Sequence, residues 1–151
     1  MAFSIGFMDL PLEHPYEDEF TSAARGLILL GESSEEFLAN LREWNPEEYR
    51  YQWRCSIQNL LDGGHKAVLI TTFSSPVNAS HLEWWALYRE GECIFAQNQL
   101  LFFDGIEDRF DPHRAVEFLR ERQTVNEDGV PISEWDFSMD DLRSFATQFG
   151  S

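Results

Sequence analysis

Two glutamates stand beside tryptophan and are the candidates for acid–base chemistry. Glu83 precedes Trp84 and Trp85, and Glu134 precedes Trp135. General acid catalysis by a carboxyl group needs an apolar setting that raises its pKa, which tryptophan neighbours could supply. Because the chain has 27 acidic residues, such pairs also arise by chance. We therefore interpret both glutamates as edge-facing or hydrogen-bonded strand residues and predict no catalytic residue.

The histidines and cysteines show no spacing that is typical of a metal site. The four histidines lie in predicted loops or at the ends of predicted elements: His14, His65, His81 and His113. Cys55 and Cys93 form neither a ligand pair nor a disulfide framework, so we interpret them as free thiols of a reducing cytosol. The sequence contains no glycine-rich phosphate loop and no nucleophile elbow. We predict no metal, no cofactor and no enzyme activity.

The chain is strongly acidic, with 27 acidic residues against 11 basic residues and a formal net charge of −16. Such a surface repels nucleic-acid phosphates and anionic membranes, and it attracts basic partners. Two loops concentrate the negative charge. One contains Glu17, Asp18 and Glu19, and the other follows Phe103 with the sequence DGIEDRFD. Each loop is either a solvated surface or a docking site for a basic partner.

Length and composition predict one globular domain that spans residues 1–151. Apolar residues make up 43% of the chain and aromatic residues 15%, which is enough for a well-packed core. The N-terminus has no basic region followed by an apolar stretch, so we predict no secretory signal. No segment approaches the roughly 20 apolar residues that span a membrane. The sequence therefore predicts a soluble cytoplasmic protein.

Residues 82–103 form the pattern around which the other predicted elements are arranged. Two runs with period-two alternation are joined at Glu90 and Gly91, which predicts an antiparallel hairpin. Both faces carry apolar side chains, so we expect the hairpin to lie inside the sheet. The second run contains three amides in a row, Gln97, Asn98 and Gln99. They could form an internal hydrogen-bond network, a ligand site or an exposed face, and we favour the network.

Four helices are predicted from capping residues that precede apolar residues at helical spacing. They begin at Ser33, Asn45, Asp111 and Ser138. Shorter strands are predicted at residues 3–7, 25–31, 66–73 and 132–137. Since strands and helices do not alternate regularly, a parallel doubly wound sheet is disfavoured. We predict an α+β fold in which helices pack on a curved antiparallel sheet.

Several of these segments carry a resemblance to a known family. They are Tyr49 and Trp53 with the helix to Leu61, then residues 67–70, 85–88, 96–102, 132–135 and 140–145. In this order and spacing the chain resembles the immunity proteins of bacterial contact-dependent growth inhibition systems. It is most similar to the group that is paired with a toxin that cleaves small-subunit ribosomal RNA. The amide-containing strand, together with the later sequence Ile-Ser-Glu-Trp, makes the resemblance fairly specific.

The resemblance implies a small cytoplasmic protein that binds and neutralises its own toxin domain. It also implies an antiparallel α+β fold that is similar to the single-stranded-DNA-binding Whirly domains of plants. A nuclease toxin must be basic to hold RNA, so an acidic inhibitor would be steered to it by charge. We predict that the acids of both loops contact the toxin: Glu17, Asp18, Glu19, Asp104, Glu107 and Asp108.

Two alternatives use the same elements differently. In the first, the Whirly-like sheet binds nucleic acid, with Trp85, Tyr88 and Gln97 as stacking and reading groups. The acidic net charge argues against it, so we predict no direct nucleic-acid partner. In the second, which we favour least, Glu83 or Glu134 serves a small-molecule hydrolase.

Overall fold

The computed structural model describes residues 2–8 and 23–149 and contains two antiparallel sheets. Sheet 1 has the strand order β1-β2-β3 and sheet 2 the order β4-β5-β6-β7. The strands are β1 (Ala2–Phe7), β2 (Ala23–Gly31), β3 (Ser33–Asn40), β4 (Lys66–Thr72), β5 (His81–Glu90), β6 (Cys93–Phe102) and β7 (Trp135–Ser138). The helices are α1 (Pro46–Leu61), α2 (Met139–Phe149) and a 3-10 helix at Pro112–Phe118. Within this part of the chain, no helix is long and apolar enough to cross a membrane.

The predicted α+β class is confirmed, but the strands form two sheets instead of one curved sheet. The sheets and helices share one apolar core. Phe3 of β1 stacks on Phe137 of β7 with ring centroids 4.6 Å apart, which joins the sheets on one side. Phe145 of α2 meets the edge of Phe3 at 5.3 Å. The likeness to Whirly domains stays a prediction.

The helix predicted at Ser33 is wrong, because this segment is strand β3. Gly31 has a φ of 69°, in the left-handed region that favours glycine, and the two-residue loop at Gly31 reverses the chain after β2. β3 then pairs with β2 along its whole length. Phe37 and Ala39 are buried, and Leu38 between them is exposed. This alternation has period two, so long-range strand pairing outweighs the local capping signature.

The predicted hairpin is confirmed as the centre of sheet 2. β5 and β6 pair from His81 opposite Phe102 to Glu90 opposite Cys93, and β4 and β7 flank them. The loop between them lies at residues 91–92, one position later than predicted, and Gly91 has a φ of 64°. A residue with positive φ is what a tight two-residue hairpin loop requires.

Three helix starts are found where capping residues predict them. Asn45 and Glu48 form a reciprocal capping box at α1, and Ser138 and Asp141 exchange the same two hydrogen bonds at α2. The segment after Asp111 is a 3-10 helix and not the α-helix expected there, since its backbone leaves helical geometry at Arg114. β7 begins at residue 135, three residues later than predicted.

Helix α1 covers the outer edge of β4 with side-chain hydrogen bonds. The Gln52 amide nitrogen donates to the Val68 carbonyl at 3.0 Å, and the Ile70 N–H donates to the Gln52 oxygen at 2.9 Å. The Trp53 indole donates to the Ile70 carbonyl at 2.7 Å. Because β4 is an edge strand, these bonds replace those that a further strand would make.

Tyr49 links the ends of the two sheets. Its hydroxyl accepts a hydrogen bond from the Phe73 N–H at 2.9 Å and donates to the Asn40 carbonyl at 2.6 Å. Burial raises the pKa of the Tyr49 phenol well above its ordinary value, so the hydroxyl keeps the proton that it donates. One residue of α1 thereby fixes the end of β3 against the segment that follows β4.

Replacing Gln52 with alanine should destabilise the fold. The substitution leaves two buried backbone groups of β4 without partners, so we expect the free energy of unfolding to fall by about 2–4 kcal/mol. Urea denaturation at neutral pH measures the change. Gln58→Ala is the matched control on the same helix, because Gln58 is exposed and bonds only the exposed Asp62. Its effect should stay within about 0.5 kcal/mol, and equal losses in both variants would contradict the role of Gln52.

Candidate interaction surface

The acidic loop at residues 104–111 directly follows β6 and presents carboxylates to solvent. Asp104, Glu107 and Asp108 are exposed. None of them forms an ion pair with a residue in the ranges 2–8 and 23–149. Their charges are therefore not neutralised within this part of the chain and remain available to a partner.

Apolar residues between the acids hold this loop on the protein. The Phe103 side chain is buried, and its ring packs against Phe110 at 5.2 Å, which in turn packs against Phe118 at 5.3 Å. The Ile106 N–H donates to the Phe103 carbonyl at 2.8 Å, and the Phe110 N–H donates to the Ile106 carbonyl at 3.0 Å. With its apolar side chains turned inward, the loop turns its carboxylates outward.

The central hairpin positions the start of the acidic loop. The Phe103 N–H donates to the Ser80 carbonyl at 2.9 Å, which extends the pairing of β5 and β6 by one step beyond their last residue pair. The first carboxylate, at Asp104, stands next to this anchored residue. Glu17, Asp18 and Glu19, the other predicted contact residues, lie outside the described residues.

Two exposed apolar side chains adjoin the acidic loop and were not singled out from the sequence. Leu100 is 48% exposed and Phe102 is 57% exposed at the end of β6. Glu83 of β5 lies directly opposite Leu100 in the register, so the two side chains share one face of the sheet. In the apolar run Leu-Leu-Phe-Phe at residues 100–103, Leu101 is partly buried and Phe103 is buried, while the two residues that alternate with them are exposed.

The amides of β6 form the internal network that the sequence favours. The Gln97 amide nitrogen donates to the Gln123 carbonyl and to Glu134, each at 2.8 Å. The Gln99 nitrogen donates to the Gln97 oxygen at 3.0 Å, and the Trp84 indole donates to the Gln99 oxygen at 3.1 Å. Asn98 differs from these two glutamines because it is exposed on the other face, where it donates to Glu83 at 3.1 Å.

A charged cluster holds the segment before β7 against the sheet. Arg122 donates to both oxygens of Glu134, at 2.8 and 2.6 Å, and to Glu90 at 2.7 Å. Its guanidinium lies 3.8 Å from the centre of the Phe95 ring. Arg122 also holds the pKa of Glu134 below its ordinary value, with Gln97 contributing in the same direction. Glu134 is thus kept ionised, whereas a general acid at neutral pH needs a raised pKa.

The remaining catalytic and nucleic-acid alternatives find little support in the geometry. Glu83 accepts a hydrogen bond from Asn98, as expected of a strand residue. No group of three or more potential metal ligands occurs among the described residues. Trp85 and Tyr88 are both buried and lie on opposite faces of β5, and Gln97 is buried as well. These three side chains therefore do not form an exposed stacking surface of the kind that binds single strands.

Fold and surface together define an α+β protein whose exposed features include an acidic loop and an adjoining apolar strand end. Residues 39–145 match the family model described as the CdiI N-terminal domain. The chain belongs to this family, and the resemblance to immunity proteins is confirmed.

This chain is similar to a known protein and to a solved structure. The immunity protein CdiI of Enterobacter cloacae subsp. cloacae is 26% identical over 118 residues, which cover 78% of this chain and 81% of that protein. A solved structure described as the CdiA-CT/CdiI toxin and immunity complex from Enterobacter cloacae contains a chain with the same fold. It matches with a TM-score of 0.86 and 24% identity, and the match covers 98% of each chain.

The pairing of Arg122 with Glu134 should make stability depend on pH. Because the folded-state pKa of Glu134 is lowered, its stabilising contribution is present at neutral pH and is lost as the pH falls through that value. We expect Glu134→Gln to reduce the free energy of unfolding by about 1–2 kcal/mol at pH 7.

Urea denaturation of both proteins from pH 7 downward checks this expectation. The difference between wild type and variant should shrink toward zero in acid, where the wild-type carboxyl is also protonated. A difference that stays constant over the whole range would show that the charge of Glu134 is not what stabilises the fold.

Proposed function

We propose that this protein binds the C-terminal toxin domain of a contact-dependent growth inhibition system and neutralises it. Family membership is the observation that carries the proposal, because the similar protein from Enterobacter cloacae is an immunity protein. The solved complex that shares the fold contains a toxin and its immunity protein. The cytoplasm is the proposed site of action, which agrees with an exposed free thiol at Cys55.

We further propose that the toxin is a basic nuclease and that the interface is acidic. The net charge of −16 favours encounter with a cationic partner over encounter with nucleic acid. Asp104, Glu107 and Asp108 supply carboxylates that form no ion pair with another described residue, on an anchored loop. Glu83, which accepts a hydrogen bond from Asn98, adds a further carboxylate near Leu100. Electrostatic complementarity of this kind mainly raises the association rate and rejects wrong partners. Tight binding additionally needs buried apolar anchors.

Co-expression with the toxin domain encoded beside this chain tests the proposal. We expect the two proteins to purify as a complex, and cells that make both should survive while cells that make the toxin alone stop growing. If no complex forms and the cells are not protected, this function is wrong. Incubating the purified toxin with ribosomes, with and without this protein, then tests whether the neutralised activity is RNA cleavage.

Charge reversal in the acidic loop should slow association with the toxin. We expect Glu107→Lys combined with Asp108→Lys to lower the association rate constant about tenfold at low ionic strength, with a smaller effect at high salt. The dissociation rate should change less, because the loop acts mainly on encounter. Surface-plasmon or stopped-flow kinetics at two salt concentrations give both rates.

The matched control is the same charge reversal on sheet 1. Glu35 and Glu36 of β3 are adjacent and exposed, so Glu35→Lys with Glu36→Lys changes the net charge by the same amount. If both double variants slow association equally, only the total charge matters and the acidic loop is not the contact surface. If neither has an effect at low salt, Glu107 and Asp108 do not take part in steering.

A further inference from the structure

Among the described residues, no strand pairs with one half of β6 on its outer side. β7 pairs with residues 93–96 of β6 and begins only at Trp135. Beyond that point, the backbone of residues 98–102 forms no outward hydrogen bond with another described residue. The segment that precedes β7 is held elsewhere, since the Ile132 N–H donates to the Thr124 carbonyl at 2.9 Å.

The register identifies which backbone groups of β6 point outward. Successive residues of an antiparallel strand direct their N–H and C=O groups alternately to one side and the other. Phe103 donates to Ser80 across the hairpin, so the odd-numbered residues of β6 face β5. The even-numbered residues Asn98, Leu100 and Phe102 therefore direct their backbone groups away from β5. We call these three residues the free edge of β6.

A groove of about 930 Å³ runs beside this free edge. Trp84, Gln97 and Gln99 contribute to it from the sheet, and Phe118, Arg120 and Gln123 contribute from the segment that packs over the sheet. The amides of Gln97 and Gln99 already bond other groups of the protein. The free edge adds the outward backbone groups of the strand, which bond no other described residue.

The side chains around the free edge favour a binding partner that is basic and partly apolar. Leu100 and Phe102 are its exposed apolar side chains, and Glu83 lies opposite Leu100 on the same face. Asp104 begins the acidic loop two residues after Phe102 and also lines the groove. Arg120 and Glu121 also line the groove, and Glu121 is ion-paired with Lys66 at 3.1 Å. An unpaired backbone between apolar and acidic side chains fits an extended segment with alternating apolar and basic residues.

We propose that the toxin inserts such an extended, basic segment as an added strand along the free edge of β6. The inference rests on the proposed function and specifies how the partner is bound. Five residues of free strand, at about 3.4 Å each, offer roughly 17 Å of backbone for pairing. The added strand would bond the outward groups of Asn98, Leu100 and Phe102 and cover the two apolar side chains.

Amide hydrogen exchange, followed residue by residue by NMR, tests this arrangement. In the free protein the amides of Leu100 and Phe102 should exchange fast, while those of Gln99 and Leu101 should exchange slowly. On addition of the purified toxin domain, the two fast amides should slow by at least about tenfold, because hydrogen-bonded strand amides are protected. Strand addition should slow exchange at alternate residues, whereas general burial of the edge would not follow this alternation.

Other outcomes of this experiment would overturn the proposal. Slow exchange at Leu100 and Phe102 in the free protein at low concentration would mean that the edge is already paired. If exchange of these two amides slows without toxin as the protein concentration rises, the edge is occupied by a second copy of this chain. If a complex forms and both amides still exchange fast, strand addition is refuted while the proposed function stands. Absence of any complex would instead refute the proposed function itself.

A proline at position 100 gives a second test. Proline removes the N–H that an added strand would use, and edge strands tolerate it because that group is unused in the fold. We expect Leu100→Pro to weaken toxin binding about tenfold, the upper value for one lost hydrogen bond. Leu100→Val keeps the N–H and an apolar side chain, so its affinity should change less than about threefold.

Circular dichroism and thermal melting show whether both variants remain folded. If Leu100→Pro is folded and binds the toxin as tightly as Leu100→Val, strand addition is refuted. If the proline variant does not fold, the exchange experiment on the wild-type complex decides alone.

Discussion

The outer edge of β4 is closed by three side chains of one helix, and the two sheets depend on that closure. A strand edge has alternating donors and acceptors that must be satisfied when they are buried. Gln52 provides both kinds of group from one amide, and Trp53 adds a donor one residue later. Tyr49, one turn earlier on α1, extends the same contact to the end of β3. Without these bonds, buried backbone groups of β4 would have no hydrogen-bond partner at the place where the two sheets meet.

In the described part of the chain, the opposite side of sheet 2 is not closed by a helix in this way. Arg122 binds Glu134 directly before β7, and β7 pairs with only residues 93–96 of β6. An exposed strand edge with apolar side chains is a hazard for aggregation, and proteins often protect such edges with charge. Here Glu83 and the acidic loop beside Phe102 provide that charge. The same negative groups that discourage pairing with another acidic copy favour pairing with a basic chain.

Local signals in the sequence predict the helices with capping boxes and the central hairpin, because their determinants lie within a few residues. They fail at Ser33, where an equally good capping signature lies in a strand that is fixed by the turn at Gly31 and by pairing with β2. The acidic loop is predictable from charge alone. The exposure of Leu100 and Phe102 is not, since it depends on where β7 begins. The residue directly before β7, Glu134, is bonded to Arg122 twelve positions earlier, and no short pattern encodes such a contact.

In the proposed interface, the acidic loop and the free edge of β6 would contribute to binding in different ways. Carboxylates on the acidic loop act over several ångströms and speed the encounter, but they are exposed and screened by salt. A strand edge offers backbone hydrogen bonds that any extended segment could make, so it cannot by itself distinguish one toxin from another. The side chains that flank the edge, Leu100, Phe102 and Glu83, would therefore add to the selectivity that the charge of the acidic loop provides. A related immunity protein that keeps the same backbone edge would recognise a different toxin through changes at these positions and in the acidic loop.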